Sequence, residues 1–145
     1  ETILGKLESI ASYAIEIGWD DVYGGLFRFV HKDGGMPHGK LEGSTLEKLI
    51  QDTWDMKLWW PHSEALYTTI LFYTLTKDEK WLNTYKQMER YVFNTFPNTN
   101  KEVGEWIQIR NRDGKPEEKV VALPFHIIRN FVLIIRLLGE EHVTR

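Results

Sequence analysis

An amphipathic helix, a glycine-marked turn between alternating residues, and a proline-led apolar helix follow one another twice along this 145-residue chain. That repetition limits the fold more than any other feature, because such units hide their apolar faces only by stacking on neighbours of the same kind. In the first pass Ile3, Leu4, Leu7, Ile10, Ala11, Ala14 and Ile17 recur at helical spacing and Gly18 supplies a stop. Gly24-Gly25-Leu26-Phe27-Arg28-Phe29 and Asp33-Gly34 follow, before a helix led by Pro61. In the second pass Trp81, Leu82, Tyr85, Met88, Tyr91, Val92 and Phe96 form the helical stripe. Val103-Gly104-Glu105-Trp106-Ile107-Gln108-Ile109 and Asp113-Gly114 then form the turn region, and Pro124 leads the last helix. A continuous core normally takes about three such units, so two of them predict part of an α/α toroid or solenoid.

Element by element, the spacing predicts four main helices, over 3–17, 61–75, 79–96 and 124–138, with short β-hairpins between helix pairs: an all-α chain. The helix at 61–75 is expected to bury Ala65, Leu66, Ile70, Leu71 and Tyr73. The very short Lys77-Asp78 connection makes it an antiparallel neighbour of the next helix. Residues 19–37 read as a hairpin, and 38–55 as a long loop with a short helical turn around 46–50. The last helix carries Phe125, Ile127, Ile128, Phe131, Val132, Leu133, Ile134, Ile135, Leu137 and Leu138, apolar nearly all round, and is expected to be buried on every side.

Composition removes several function classes. A formal net charge of -3 without a long basic run argues against nucleic acid as a partner, since neutralising phosphates takes clustered Lys and Arg. Zero cysteines exclude disulfides and thiolate metal sites. No apolar run approaches the roughly 20 residues needed to span a bilayer, so no membrane partner is expected. Nothing resembles a signal peptide, and the expected location is cytoplasmic. The five histidines, His31, His38, His62, His126 and His142, are scattered without metal-ligand spacing, so no metal is expected.

The ionisable groups that remain cluster at two helix starts. Proline suits the first helical position because its missing N–H would be unpaired there anyway, so Glu64 and His126 are expected in first turns after Pro61 and Pro124. The positive end of a helix dipole favours an ionised carboxylate and a neutral imidazole, a pairing suited to proton transfer. Arg129 lies three residues beyond His126 on the same helical face, where its cation can hold Glu64 ionised. Of the six tryptophans, Trp59 and Trp60 adjoin this site and offer faces for a sugar ring, Trp60 the better placed of the two. His62 is a further substrate-side candidate, but it falls on a different face from Glu64, which favours a structural or supporting role for it. Lys57 and Asp55 read as a solvated charge pair before the helix, and Arg136 with Glu140-Glu141 as surface charges.

The segment Met56-Lys57-Leu58-Trp59-Trp60-Pro61-His62-Ser63-Glu64-Ala65, together with Gly24-Gly25-Leu26-Phe27, Gly104-Glu105-Trp106 and Pro124-Phe125-His126-Ile127-Ile128-Arg129, resembles the N-acylglucosamine 2-epimerase family, also known as renin-binding protein. The resemblance implies an (α/α)6 barrel longer than this chain, with residues 1–145 as the C-terminal part of one epimerase domain. It implies interconversion of N-acetylglucosamine and N-acetylmannosamine, with relatives acting on cellobiose or mannose. One histidine removes the C2 proton of the ring-opened sugar, and a second returns a proton on the opposite face. By motif match His126 is one of that pair, and Glu64 and Arg129 belong to the same pocket. The other histidine would precede Glu1, so this chain alone is expected to be inactive. The chemistry needs no cofactor, and ATP enters only as the activator known for some members. A homodimer, or association with the missing barrel half, would cover the inner helix faces. Two other classes stand beside this reading. One is a non-catalytic helical-repeat interaction module. The other is a glycoside hydrolase with a second carboxylate opposite Glu64, for which Glu42, Glu47, Asp52, Asp55 and Glu105 are conceivable partners.

Overall fold

A computed structural model describes residues 2–117 and 125–143, with side chains described through 139. Pro124 and the side chains of Glu140, Glu141 and His142 therefore lie outside the described residues. The elements are α1 (Ile3–Gly18), α2 (Thr45–Thr53), β1 (Lys57–Leu58), α3 (Trp59–Thr76), α4 (Glu79–Thr95), β2 (Ile109–Arg110) and α5 (Phe125–Val143). They fall into two compact units, one built from residues 2–58 and 109–117, the other from 59–108 and 125–143.

In the first unit α1 begins where the Thr2 hydroxyl accepts the Gly5 N–H at 3.1 Å. The stop at Gly18 holds, but not through a left-handed cap: Gly18 is the last helical residue and Trp19 leaves in extended conformation. The expected hairpin at 19–37 is reduced to a single bridge, Trp19 to Leu26. Asp20 is the cause. Its carboxylate accepts the N–H groups of Val22 and Tyr23 at 3.0 and 3.3 Å, winding the chain into a tight loop that Gly24 and Gly25 close, each at φ 76°. Downstream, Arg28 and Phe29 donate their amides to the carbonyls of Met56 and Trp54 at 2.9 and 3.0 Å. The turn at Asp113-Gly114 forms as expected, with Asn111 N–H on the Lys115 carbonyl at 2.9 Å. The strand expected through 104–109 is only Ile109–Arg110, paired antiparallel with Lys57–Leu58. In place of a short helical turn at 46–50, α2 is a full helix. Ser44 and Glu47 cap it reciprocally, satisfying two otherwise unpaired amides.

A buried ionic cluster holds this unit together. Lys57 Nζ donates to Asp20 Oδ2 at 3.0 Å, and Arg112 reaches the same carboxylate through Nε at 2.8 Å and Nη2 at 3.1 Å. Lys57 is thus not the solvated charge expected beside Asp55 but a wholly buried one, lying 4.1 Å from the Phe27 ring centroid. Burial opposes a charged Asp20, yet the hydrogen bonds from Arg112 and Lys57 outweigh it and hold this carboxyl well below the usual carboxylate range. For Lys57 the balance tips the other way, and burial keeps its ammonium below the ordinary lysine value despite Asp20.

In the second unit α3 starts at Trp59, two residues ahead of Pro61, because Trp59 is buried and its N–H bonds the Gln108 carbonyl at 3.1 Å. Pro61 is consequently the third helical residue and Glu64 lies in the second turn, not the first. Helices α3 and α4 run antiparallel. Phe72 stacks on Trp81 near the connecting Lys77, whereas His62 at the far end packs on Tyr91 and Phe96. Phe72 occupies the core position expected of Leu71 or Tyr73. Helix α5 lies beside α3 in the same direction, since Ser63 meets Asn130 near one end while Leu66 and Ile134 share a groove of about 190 Å³ further along. Trp106 fills the space between Phe93, Phe96 and Phe131. The burial of α5 on every side is not met: Ile134 and Asn130 are buried, but Phe125, Ile128, Val132 and Ile135 are exposed.

Candidate active site

Two helices of the second unit bring Glu64, His126 and Arg129 together. Glu64 Oε1 lies 2.7 Å from His126 Nδ1, and Arg129 Nη2 donates to both oxygens of the same carboxylate. The parallel run of α3 and α5 makes this possible: the second turn of α3 faces the first turn of α5, and the three-residue step from His126 to Arg129 puts both on one carboxylate. All three side chains keep 30–44% of their surface exposed, so the cluster opens to solvent.

The electrostatics fix the roles of the atoms. Burial raises the carboxyl pKa of Glu64, but hydrogen bonds from His126, Asn130 and Arg129 outweigh that cost and hold the group below its ordinary range. An ionised carboxylate only accepts hydrogen bonds, so Nδ1 of His126 carries a proton toward Glu64, which in the neutral form of the ring leaves the lone pair on Nε2. The orientation of the imidazole is thereby fixed by an acceptor on its Nδ1 side. Aromatic rings border it: Trp59 meets it edge-on and Trp60 at a tilt, both with centroids 5.7 Å away.

The other substrate-side candidates separate. Trp60 is 45% exposed beside His126 and presents a face to solvent. Trp59 is buried, which removes it from stacking on a ligand and leaves it as part of the wall behind the imidazole. His62 takes the structural place and not the substrate-side one: it has no exposed surface, and its ring lies 4.9 Å from that of Phe96 and 5.2 Å from that of Tyr91, inside the α3–α4 interface. Its place two residues before Glu64 turns it to the opposite side of α3. Two residues without a sequence signal pack behind the site: buried Asn130 donates to Ser63 Oγ at 3.1 Å, joining α5 to α3 next to Glu64 in sequence. Among the described residues no three His, Asp or Glu side chains gather as a metal would require, and no helix is long and apolar enough to cross a membrane.

This geometry can be set beside known proteins. The sequence profile of N-acylglucosamine 2-epimerase (GlcNAc 2-epimerase) matches residues 1–129. This chain belongs to the N-acylglucosamine 2-epimerase family. Within that family, the protein named N-acylglucosamine 2-epimerase from Bos taurus is 39% identical over 108 residues, covering 74% of this chain and 22% of the bovine protein. The chain thus spans about a quarter of the length of the curated family relatives it matches. Among solved structures, D-mannose isomerase superposes with a TM-score of 0.71 at 18% identity, over 92% of this chain and 30% of that one. The cellobiose 2-epimerase of Spirochaeta thermophila DSM 6192 gives 0.69 at 15% identity, over 97% of this chain and 34% of that one. These likenesses establish the fold, part of an (α/α)6 barrel, and N-acylglucosamine 2-epimerase family members are isomerases.

Proposed function

We propose that residues 1–145 are the C-terminal part of a single barrel domain that epimerises a sugar at C2, with N-acetylglucosamine and N-acetylmannosamine as the pair interconverted. The observation that carries this reading is the ionised Glu64 held against His126 and Arg129 beside the exposed Trp60. Names of the curated relatives support the choice of sugar; mannose or cellobiose are the alternatives within the same chemistry.

In this reading Trp60 stacks on the sugar. His126 Nε2 takes the C2 proton of the open-chain form while the C–H electrons move toward the C1 carbonyl oxygen, and Glu64 stabilises the imidazolium that results. The Arg129 guanidinium supplies positive charge for the enediolate oxygen. A second base must then return a proton on the opposite face. His62 is buried, so no other described histidine of this unit serves, and the second base comes from outside the chain. Residues 1–145 alone are therefore inactive. ATP would act as an activator only, outside these steps, and the whole protein would work in the cytoplasm as a homodimer.

The test is proton NMR in deuterium oxide on the complete protein with N-acetylglucosamine. C2 exchange and epimer formation are expected, and His126→Ala should lower the rate by about 100-fold or more, the usual worth of a positioned general base. A complete protein that exchanges C2 of neither this sugar nor mannose nor cellobiose would refute the reading. One observation favours a docking role instead, namely the exposed stripe of Phe125, Ile128, Val132 and Ile135 on α5. That role leaves the convergence of Glu64, His126 and Arg129 unexplained.

A further inference from the structure

We infer that Phe125 is a specificity-determining residue of this site, an apolar wall that receives the acyl group on C2 of an N-acylated hexosamine and offers nothing to a C2 hydroxyl. The inference rests on the epimerase reading of the site and deepens it, since it names the side chain that tells N-acetylmannosamine from mannose. Phe125 opens α5 and keeps 65% of its surface exposed. Its ring meets the His126 imidazole edge-on, with centroids 5.5 Å apart and planes at 81°. The Arg129 guanidinium lies 5.9 Å from the centroid of the same ring and is itself held by both Glu64 oxygens, so the ring rests against a fixed cation.

Trp60 comes to the same imidazole from α3, its plane tilted by 35°. Two exposed aromatic rings from different helices therefore border one base in different planes, and they serve different parts of the sugar. To take the C2 proton, Nε2 must approach to about 3–3.5 Å. Whatever C2 carries then lies beside the imidazole, within reach of the Phe125 ring. An acyl methyl in that place buries apolar surface against the ring, whereas a hydroxyl there gives up water and gains no hydrogen bond. Phe125 also heads the exposed stripe of α5, but Val132 of that stripe lies about two turns further along the helix and serves as the control.

The experiment measures C2 exchange in deuterium oxide by the complete protein, with N-acetylmannosamine and with mannose. Wild type should favour the N-acetyl sugar in kcat/KM. In Phe125→Ala that preference should shrink about tenfold or more, mainly through a higher KM for N-acetylmannosamine, while mannose changes by less than about twofold. The melting temperature should hold, because the ring is largely exposed. Phe125→Leu, which keeps an apolar surface, should restore most of the preference, and Val132→Ala should leave it as in wild type. A preference unchanged in Phe125→Ala, lost equally in Val132→Ala, or favouring mannose in wild type would overturn the inference and leave the epimerase reading in place. If no sugar is exchanged, the epimerase reading falls and saturation-transfer NMR with N-acetylglucosamine decides about Phe125. Transfer to the acyl methyl that disappears in Phe125→Ala would keep it as the acyl contact, and transfer that persists would remove it.

Discussion

Asp20 carries a charge with almost no exposed surface, which is stable only because Lys57 and Arg112 meet it from two directions. Asp20→Asn keeps the size of the side chain but leaves Lys57 without its counter-charge, and a loss of about 3–5 kcal/mol is expected in urea unfolding. The pH dependence follows from the same pair. The folded carboxyl titrates below its ordinary 3.8, so its contribution is complete above that value and is lost as pH falls from there toward the folded value. Wild-type stability should therefore drop below about pH 4, and that part of the drop should vanish in Asp20→Asn. Sequence reasoning reached Glu64, His126 and Arg129 as a cluster because a three-residue helical step and a motif mark them. It missed Asp20 with Lys57, Ser63 with Asn130 and Asp20 with Arg112, whose partners stand 37, 67 and 92 positions apart with no periodicity to announce them.

At the scale of elements, long periodic stretches were legible and side-chain-built turns were not. Helices α3, α4 and α5 declare themselves through apolar spacing, and the Lys77 turn between the first two, with φ 58°, through its brevity. The first hairpin misread has a specific cause, since one carboxylate at Asp20 captures the backbone amides that a strand would have offered to its partner. Helix α2 was read short because its apolar stripe is only Leu46, Leu49 and Ile50: none of its residues is buried, and its two ends are defined by its cap and not by packing. Ser44→Ala should thus cost about 1 kcal/mol locally and speed amide exchange across Thr45–Thr53, with the amides of α3 and α4 unchanged. Equal exchange in α2 before and after the substitution would place its stability elsewhere.

At the largest scale, a helix in each unit keeps apolar side chains exposed. Ile3, Leu7 and Ile10 stay exposed on α1 of the first unit, and Phe125, Ile128, Val132 and Ile135 on α5 of the second, where a run of exposed apolar side chains favours association. Sedimentation of the 17.1 kDa chain by itself should show concentration-dependent association, weakened by Ile128→Gln with Ile135→Gln. A monomer at all concentrations would contradict this. The apolar circumference of α5 was legible in the sequence; which of its residues stay exposed, Phe125, Ile128, Val132 and Ile135, was not.

The bond from Arg112 to Asp20 also bears on how the chain is made. Its unit is assembled from two stretches with residues 59–108 between them, so the loop it closes is among the longest the chain can form, and closing it carries a large entropic penalty. During synthesis the first stretch leaves the ribosome with Asp20 and Lys57 already present and the guanidinium still unmade. Until residue 112 emerges, Asp20 and Lys57 stand without the guanidinium, so this unit is completed only after residues 59–108 have been made.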